Sequence, residues 1–165
     1  MTFRSGGGET ADRIGRLYDR CAAGLYRYAL MILVDPSAAA DAVHDVFVAM
    51  LEGAHDVQLP ERYLRRAVRN ECYSVLRRQP RHAVQSDHAP LLEAIDENAD
   101  PDVRLILEQA IRELPPEQRE VLHLKAFEGL TFQEIADVTA ESINTVASRY
   151  RYALGKMRAL LGQRS

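Results

Sequence analysis

The 165-residue sequence predicts an all-α protein in which two small helical domains are joined by an acidic linker. No stretch alternates apolar and polar residues as a half-buried strand does, and nearly every segment outside 81–101 has apolar residues at helical spacing. The segment 81–101 is bordered or interrupted by three prolines and holds one arginine against five acidic residues. We therefore expect a disordered tail at 1–9, a first domain at 10–80, a linker at 81–101 and a second domain at 102–163.

The first domain is predicted to contain three helices. An apolar stripe runs through residues 10–33, and Pro36 suits the first turn of a second helix that ends near Gly53. Pro60 opens the third helix and Pro80 closes it. The residues expected on the inner faces are Ile14, Leu17, Tyr18, Cys21, Leu25, Tyr28, Ala29 and Ile32, then Ala39, Val43, Val46, Phe47, Met50 and Leu51, then Tyr63, Leu64, Ala67, Val68, Cys72, Val75 and Leu76.

The second domain is predicted to begin with two helices. Asp102 can cap the first, and the pair Pro115-Pro116 starts the second, which ends at Gly129. The residues expected inside are Val103, Ile106, Leu107, Ala110, Ile111 and Leu114 on one helix and Val121, Leu122, Leu124 and Phe127 on the other.

Residues 131–161 have the pattern of a helix-turn-helix. Thr131 and Glu134 form a capping box for a short helix, and after a tight break Ser142 caps a longer one. The break has no glycine, so Ala140 is expected to avoid a strained conformation. Short polar side chains at the start of the second helix would let it enter a major groove, and its positive end favours phosphate. The residues expected at DNA are Ser142, Asn144, Thr145, Ala147, Ser148, Arg149 and Arg151.

Periodicity alone supports an ordinary helical hairpin with a solvated face equally well. In both interpretations Val146, Tyr150, Ala153, Met157 and Leu161 pack inward from the last helix.

Residues 61–78 combine six arginines with two tyrosines. A basic helix that carries aromatic rings suits single-stranded DNA, because arginine neutralises phosphate and a ring stacks on an unpaired base. A solvated arginine-rich face with tyrosine at the edge of the core is the alternative, and this segment by itself favours that alternative.

Composition argues against several other classes of protein. No apolar run is long enough to span a membrane and no signal peptide precedes the first helix, which predicts a cytoplasmic protein. The two cysteines fit a reducing compartment. The five histidines show no zinc-ligand spacing with the cysteines, and no phosphate-binding loop follows a strand. We expect no catalytic residues, no metal and no cofactor.

The C-terminal motifs resemble sigma region 4. Residues 111–122 read Ile-Arg-Glu-Leu-Pro-Pro-Glu-Gln-Arg-Glu-Val-Leu, and residues 127–136 read Phe-Glu-Gly-Leu-Thr-Phe-Gln-Glu-Ile-Ala. Residues 144–154 are similar to the recognition helix of the extracytoplasmic-function sigma factors. The resemblance implies that this helix contacts the minus-35 element and that the region 114–127 contacts the flap tip of the polymerase β subunit.

The N-terminal motifs resemble sigma region 2. They are Leu-Tyr at 17–18, Tyr-Arg-Tyr-Ala at 26–29, Ala-Asp-Ala-Val-His-Asp-Val-Phe at 40–47 and Tyr-Leu-Arg-Arg-Ala-Val-Arg-Asn at 63–70. His44 and Tyr63 depart from the usual Gln and Trp. The resemblance implies that Asp41, Asp45 and Phe47 bind the clamp helices of the β′ subunit. It also implies minus-10 contacts by Tyr63, Arg65, Arg66, Arg69, Asn70, Tyr73 and Arg77.

Taken together, the motifs identify the chain as a member of the extracytoplasmic-function sigma factors, with RNA polymerase core, promoter DNA and an anti-sigma factor as expected partners. The free chain is expected to be a monomer. One alternative is a sigma-like module that only sequesters a regulator, and another is a helix-turn-helix repressor that dimerises on a palindromic site. A response regulator would need a receiver domain, which the helical first half does not resemble.

Overall fold

The structure is a computed structural model that describes residues 6–53, 60–79, 91, 98 and 100–163. Within these ranges the chain is all-helical, which confirms the predicted fold class. The helices are α1 (Gly6–Leu33), α2 (Pro36–Gly53), α3 (Pro60–Arg78), α4 (Pro101–Arg112), α5 (Pro116–Leu122), α6 (Phe132–Thr139) and α7 (Ile143–Gly162), and a π-helical turn (His123–Phe127) directly follows α5.

The start of α1 differs from the prediction. Residues 6–9, which we expected in a disordered tail, form its first turns. Glycine is a poor helix former, but Glu9 in the first turn interacts favourably with the positive end of the helix. Residues 1–5 lie outside the described residues.

The start of α4 also differs. Asp100, not Asp102, is the N-cap, and its carboxylate accepts a hydrogen bond from the backbone N–H of Asp102 at 2.9 Å. Pro101 is the first helical residue, where its missing N–H costs nothing, so it belongs to the helix and not to the linker. Most of the linker lies outside the described residues, but Leu91 is buried.

Helices α1, α2 and α3 pack together as the N-terminal domain. Ile32, Leu64 and Val68 are fully buried, and Tyr28 is fully buried where α1 meets the C-terminal domain. Three side chains predicted to be inside are exposed instead: Tyr18 at 46%, Leu51 at 48% and Tyr63 at 43%. They lie at the edges of their apolar stripes, where neighbouring helices cover them only in part; the ring of Tyr18 still meets Phe47 of α2.

Helices α4, α5, α6 and α7 form the C-terminal domain, with Ile111, Leu114, Leu124 and Ile135 among its buried residues. Val103 and Phe127, also predicted to be inside, are exposed at 52% and 39%.

The helix-turn-helix is present as predicted. Thr131 accepts a hydrogen bond from the backbone N–H of Glu134 at 3.1 Å, and the Glu134 carboxylate accepts one from the backbone N–H of Thr131 at 3.3 Å. The turn corrects one expectation, because Ala140 adopts the left-handed conformation with φ of 56°. Its backbone N–H donates to the carbonyl of Ala136, so the alanine takes the place that glycine usually holds at a helix C-terminus.

The two domains pack against each other, α1 against α5 and α3 against α6. The side chain of Arg119 enters the N-terminal domain and donates to the carbonyls of Met31 at 2.7 Å and Ile32 at 2.6 Å. These carbonyls belong to the last turn of α1, where no helical N–H is available to them. A residue of the second domain therefore caps a helix of the first.

Both cysteines are free thiols. Cys72 is fully buried, as predicted, and burial raises the pKa of its thiol to about 12. Cys21 is only partly buried. None of the helices in the described ranges is long and apolar enough to cross a membrane.

Candidate nucleic-acid interface

The beginning of α7 presents a polar surface. The Ser142 hydroxyl accepts from the backbone N–H of Thr145 at 3.1 Å and fixes the start of the helix. Asn144 is exposed, and Thr145, Ala147 and Ser148 are half-buried. No acidic residue lies in the first turn of α7, so the positive end of the helix is not neutralised there.

The two arginines of this surface differ in their surroundings. Arg151 is exposed, with one long contact of 3.5 Å to the Ser148 hydroxyl. Arg149 is half-buried and pairs with Glu141 at 3.2 Å. Arg151 is therefore the more accessible of the two guanidinium groups.

The outer face of α2 is acidic. Asp41 and Asp45 are exposed and, with Asp35 and Glu71, line an open groove of about 450 Å³ between α2 and α3. Arg78 borders the same groove and pairs with Glu71 at 3.1 Å. This surface suits a basic partner.

Phe47, expected beside these aspartates as a contact residue, is a core residue. Its side chain is 4% exposed and meets the ring of Tyr18 edge-on, with 5.0 Å between ring centroids. The inner stripe of α2 places this side chain in the core, and its predicted contact with the β′ subunit stays a prediction.

The arginine-rich helix α3 divides into two sets. Tyr63, Asn70 and Arg77 are exposed. Arg65, Arg69 and Tyr73, in contrast, are partly buried against the C-terminal domain, and Arg66, although exposed, also contacts that domain.

The contacts of these four residues are short and polar. Arg65 pairs with Glu128 at 2.5 Å, and Arg66 donates to the backbone carbonyl of Asp137 at 2.6 Å. Arg62 lies 3.7 Å from the Asp137 carboxylate. The first helix of the helix-turn-helix thus lies against the arginine-rich helix.

Glu120 is the centre of the domain interface, and the sequence analysis did not identify it. Its carboxylate is fully buried and accepts from the Tyr28 hydroxyl at 2.5 Å, from Arg69 Nε at 2.6 Å and from the Tyr73 hydroxyl at 2.6 Å. Tyr28 offered a signal, because a tyrosine on an inner helix stripe needs a buried acceptor for its hydroxyl.

The charges in this cluster shift the pKa values of its members. Burial and the Glu120 charge raise the pKa of both Tyr28 and Tyr73 well above the ordinary value, so both hydroxyls remain donors. Burial alone would lower the pKa of Arg69, but the Glu120 carboxylate outweighs it and raises the pKa. The cluster is therefore a stable set of three donors around one anion.

A metal centre finds no support in the described residues, where histidine, cysteine and carboxylate side chains do not come together in groups of three or more.

Two family models match the chain. The model described as "Sigma-70 region 2" matches residues 17–82, and the one described as "Sigma-70, region 4" matches residues 104–157. Together they cover most of the sequence, and the boundary between them falls in the predicted linker.

Solved structures share the fold. The sigma factor RpoE from Bartonella quintana, in complex with the anti-sigma factor NepR, is 21% identical with a TM-score of 0.69, and the match covers 90% of this chain and 96% of that one. CnrH, in complex with the cytosolic domain of CnrY, is 23% identical with a TM-score of 0.68, covering 96% and 94%.

Curated relatives agree with the family models. RNA polymerase sigma factor SigV of Bacillus subtilis is 28% identical over 82% of this chain and 83% of its own length. ECF RNA polymerase sigma factor SigK of Mycolicibacterium vanbaalenii is 26% identical over 92% and 83%. The chain therefore belongs to the sigma-70 family and is an RNA polymerase sigma factor of the extracytoplasmic-function type, which directs core polymerase to promoters.

Proposed function

We propose that three surfaces of the chain divide the work of promoter recognition. The acidic face of α2, through Asp41 and Asp45, binds the clamp helices of the β′ subunit. The arginine-rich helix α3 holds the unpaired strand of the minus-10 element, and the start of α7 contacts the minus-35 duplex.

The observation that carries the proposal is the separation of charge between these surfaces. The exposed carboxylates of α2 offer complementarity to a basic protein surface and would repel DNA. The arginines of α3 and Arg151 of α7 offer the opposite charge, which phosphate requires. Opposite charges on different helices favour one partner of each kind.

The proposal also includes the location of the chain in the cell, its oligomeric state and its remaining partners. The chain works in the cytoplasm, is monomeric when free and is controlled by an anti-sigma protein; the sigma factor RpoE from Bartonella quintana is bound by the anti-sigma factor NepR. The flap tip of the β subunit contacts the region 114–127. The polymerase supplies the chemistry, and this chain supplies recognition.

The test combines co-elution with RNA polymerase core and transcription from a cognate promoter. We expect Asp45→Arg to weaken co-elution more than tenfold, because it places a cation against a basic surface. Arg151→Ala should leave co-elution unchanged and weaken promoter use about 5- to 100-fold, the range expected when one arginine contact to DNA is lost.

Equal loss of co-elution in both variants would contradict the division of labour. A folded wild-type chain that does not bind core would favour the sequestering module, and a dimer on a palindromic site would favour the repressor.

A further inference from the structure

A cavity of about 480 Å³ lies where α1, α3 and the π-helical turn meet. This volume falls within the range of about 300–1,000 Å³ that is typical of small-molecule sites. The lining residues that bear on its chemistry come from both domains: Arg20, Arg27 and Arg65 from the first, and Phe127 and Glu128 from the second. We call this space the interdomain cavity.

The charges that line the interdomain cavity are unbalanced, because three arginines face two carboxylates. Arg20 pairs with Glu61 at 3.1 Å, and both side chains are more than half exposed. Arg65 pairs with Glu128 at 2.5 Å, where both are largely covered. Arg27 is half-buried and forms no ion pair with any residue that the structure describes, although its charge helps to lower the pKa of Glu128. The excess positive charge therefore lies on Arg27.

A half-buried cation without a counter-ion favours the binding of an anion. Removal of a charge from water is costly unless a partner replaces the lost hydration. A guanidinium group presents its donors in one plane, which matches the oxygen atoms of a phosphate or a carboxylate. Arg20 can join Arg27 in such a contact, because an exposed ion pair like the one with Glu61 contributes little stability. The charged part of the cavity therefore suits an oxyanion.

Another part of the interdomain cavity is apolar. Leu25 is buried, and Gly24 has no side chain to fill the space. Phe127 lines the cavity and is 39% exposed, although its apolar character predicted a place in the core. Its ring meets the His123 ring with 5.9 Å between centroids. The exposed part of Phe127 can take a second ring, since aromatic rings attract one another in offset or edge-to-face geometry.

We propose that the interdomain cavity binds a small aromatic oxyanion, in which a planar ring carries a phosphate or carboxylate group. Arg27 and Arg20 hold the oxyanion, and the ring packs against Phe127. This site goes beyond promoter recognition, because neither Arg27 nor Phe127 is among the residues proposed above to touch DNA. Since the walls come from both domains, a bound ligand makes the stability of their packing depend on the concentration of a small molecule.

The test titrates the full-length chain with phenyl phosphate in an isothermal calorimeter. We expect one-to-one binding with a dissociation constant below about 1 mM, which is within reach of a ligand of this size. Inorganic phosphate lacks the ring and benzyl alcohol lacks the charge. Each of them should bind at least about fivefold more weakly, because each makes only part of the contacts. Phenyl phosphate should also raise the midpoint of thermal unfolding, since it binds only the folded chain.

The charged part of the site is tested with Arg27→Gln. This variant should bind phenyl phosphate about tenfold or more weakly, as expected for the loss of a hydrogen bond from a charged donor. Arg16→Gln is the matched control, because it makes the same substitution at an exposed position of α1 and Arg16 does not line the cavity. The control should bind as wild type does. Circular dichroism checks that both variants keep the wild-type helix content.

A second variant blocks the cavity without changing any charge. In Gly24→Leu a side chain grows into the cavity, where the nearest atom to a new Cβ is Nη2 of Arg27 at 3.8 Å. Leucine is a better helix former than glycine, so the variant should stay folded while binding is lost. Gly15→Leu makes the same change on the exposed side of α1, with no atom within 4 Å of its Cβ, and should bind normally.

Three results would overturn the proposal. Equal affinity of wild type and Arg27→Gln for phenyl phosphate would remove the oxyanion contact. Undiminished binding by Gly24→Leu would place the ligand outside the interdomain cavity. Equal affinity of wild type for phenyl phosphate and for inorganic phosphate would remove the role of the ring.

Discussion

Arg119 connects the two domains through a single buried cation. Its guanidinium donates to the carbonyls of Met31, Ile32 and Leu114, and the residue is 7% exposed. Burial lowers the pKa of Arg119 to about 10, which keeps it charged at neutral pH. A cation at the C-terminal end of α1 also complements the negative end of that helix.

Loss of the Arg119 guanidinium should destabilise the protein strongly. We expect Arg119→Met to lower the free energy of unfolding by about 3 kcal/mol or more, because three buried carbonyls lose a charged donor. Arg119→Lys should lower the free energy of unfolding by a smaller amount, since lysine keeps the charge but not the planar arrangement of donors. Urea unfolding followed by circular dichroism measures both, with Arg158→Met on the exposed side of α7 as control. Equal midpoints for Arg119→Met and the control would refute this role.

Individual residues of the domain interface are harder to predict from the sequence than residues of the two hydrophobic cores. Tyr28 and Glu120 lie on different domains and 92 residues apart, and no periodic pattern in a single sequence pairs such positions. For Phe47 two kinds of reasoning disagreed: the resemblance assigned it a partner, while its own helical stripe placed it in the core, where the structure has it.

The elements follow from local signals, and most of those signals are in the sequence. Pro36, Pro60, the capping box at Thr131 and the cap at Ser142 placed four helix starts correctly, because each signal acts within one turn. The turn between α6 and α7 was different. Ala140 adopts the left-handed conformation where α6 ends, and its backbone N–H closes that helix on the Ala136 carbonyl, against the local preference of alanine.

The strained turn yields a test of the helix-turn-helix. Ala140→Gly should raise the free energy of unfolding by about 0.5–1 kcal/mol, because relief of the left-handed strain exceeds the extra entropy of glycine in the unfolded chain. Ala159→Gly, on an exposed helical position of α7, should instead lower it by about 1 kcal/mol. Urea denaturation compares the pair, and a destabilised Ala140→Gly variant would contradict the left-handed geometry.

The whole molecule depends on contacts that respond to pH. Burial would raise the pKa of Glu128, but the hydrogen bond with His123 and the charges of Arg65 and Arg27 outweigh it, and the pKa lies below the ordinary value. A carboxylate of this kind stabilises the packing of the two domains against each other at pH values above its unfolded-state pKa of about 4.3. That contribution is lost as the pH falls through the lower, folded-state pKa.

Acidification should therefore weaken the packing of the two domains and make the chain less compact. We expect the radius of gyration of wild type to rise as the pH falls below about 4.3, and the rise should be smaller for Glu128→Gln, which has no such carboxylate to protonate. Scattering across a pH series measures both curves. Identical curves for the two proteins would show that the Glu128 carboxylate does not contribute to the packing of the two domains.

The π-helical turn at His123–Phe127 sets where Glu128 points. The backbone N–H of Glu128 donates to the carbonyl of His123, five residues earlier, at 3.0 Å, and His123 Nε2 lies 3.1 Å from the Glu128 carboxylate. In a regular α-helix, residues five apart lie about 140° apart around the axis, so Glu128 would face away from His123. Deletion of one uncharged residue from this turn, such as Ala126, would restore the ordinary helical repeat and turn Glu128 away from Arg65 without removing a charge. The length of the chain at this point is thus a second means, independent of side-chain identity, by which evolution can adjust how tightly the two domains close.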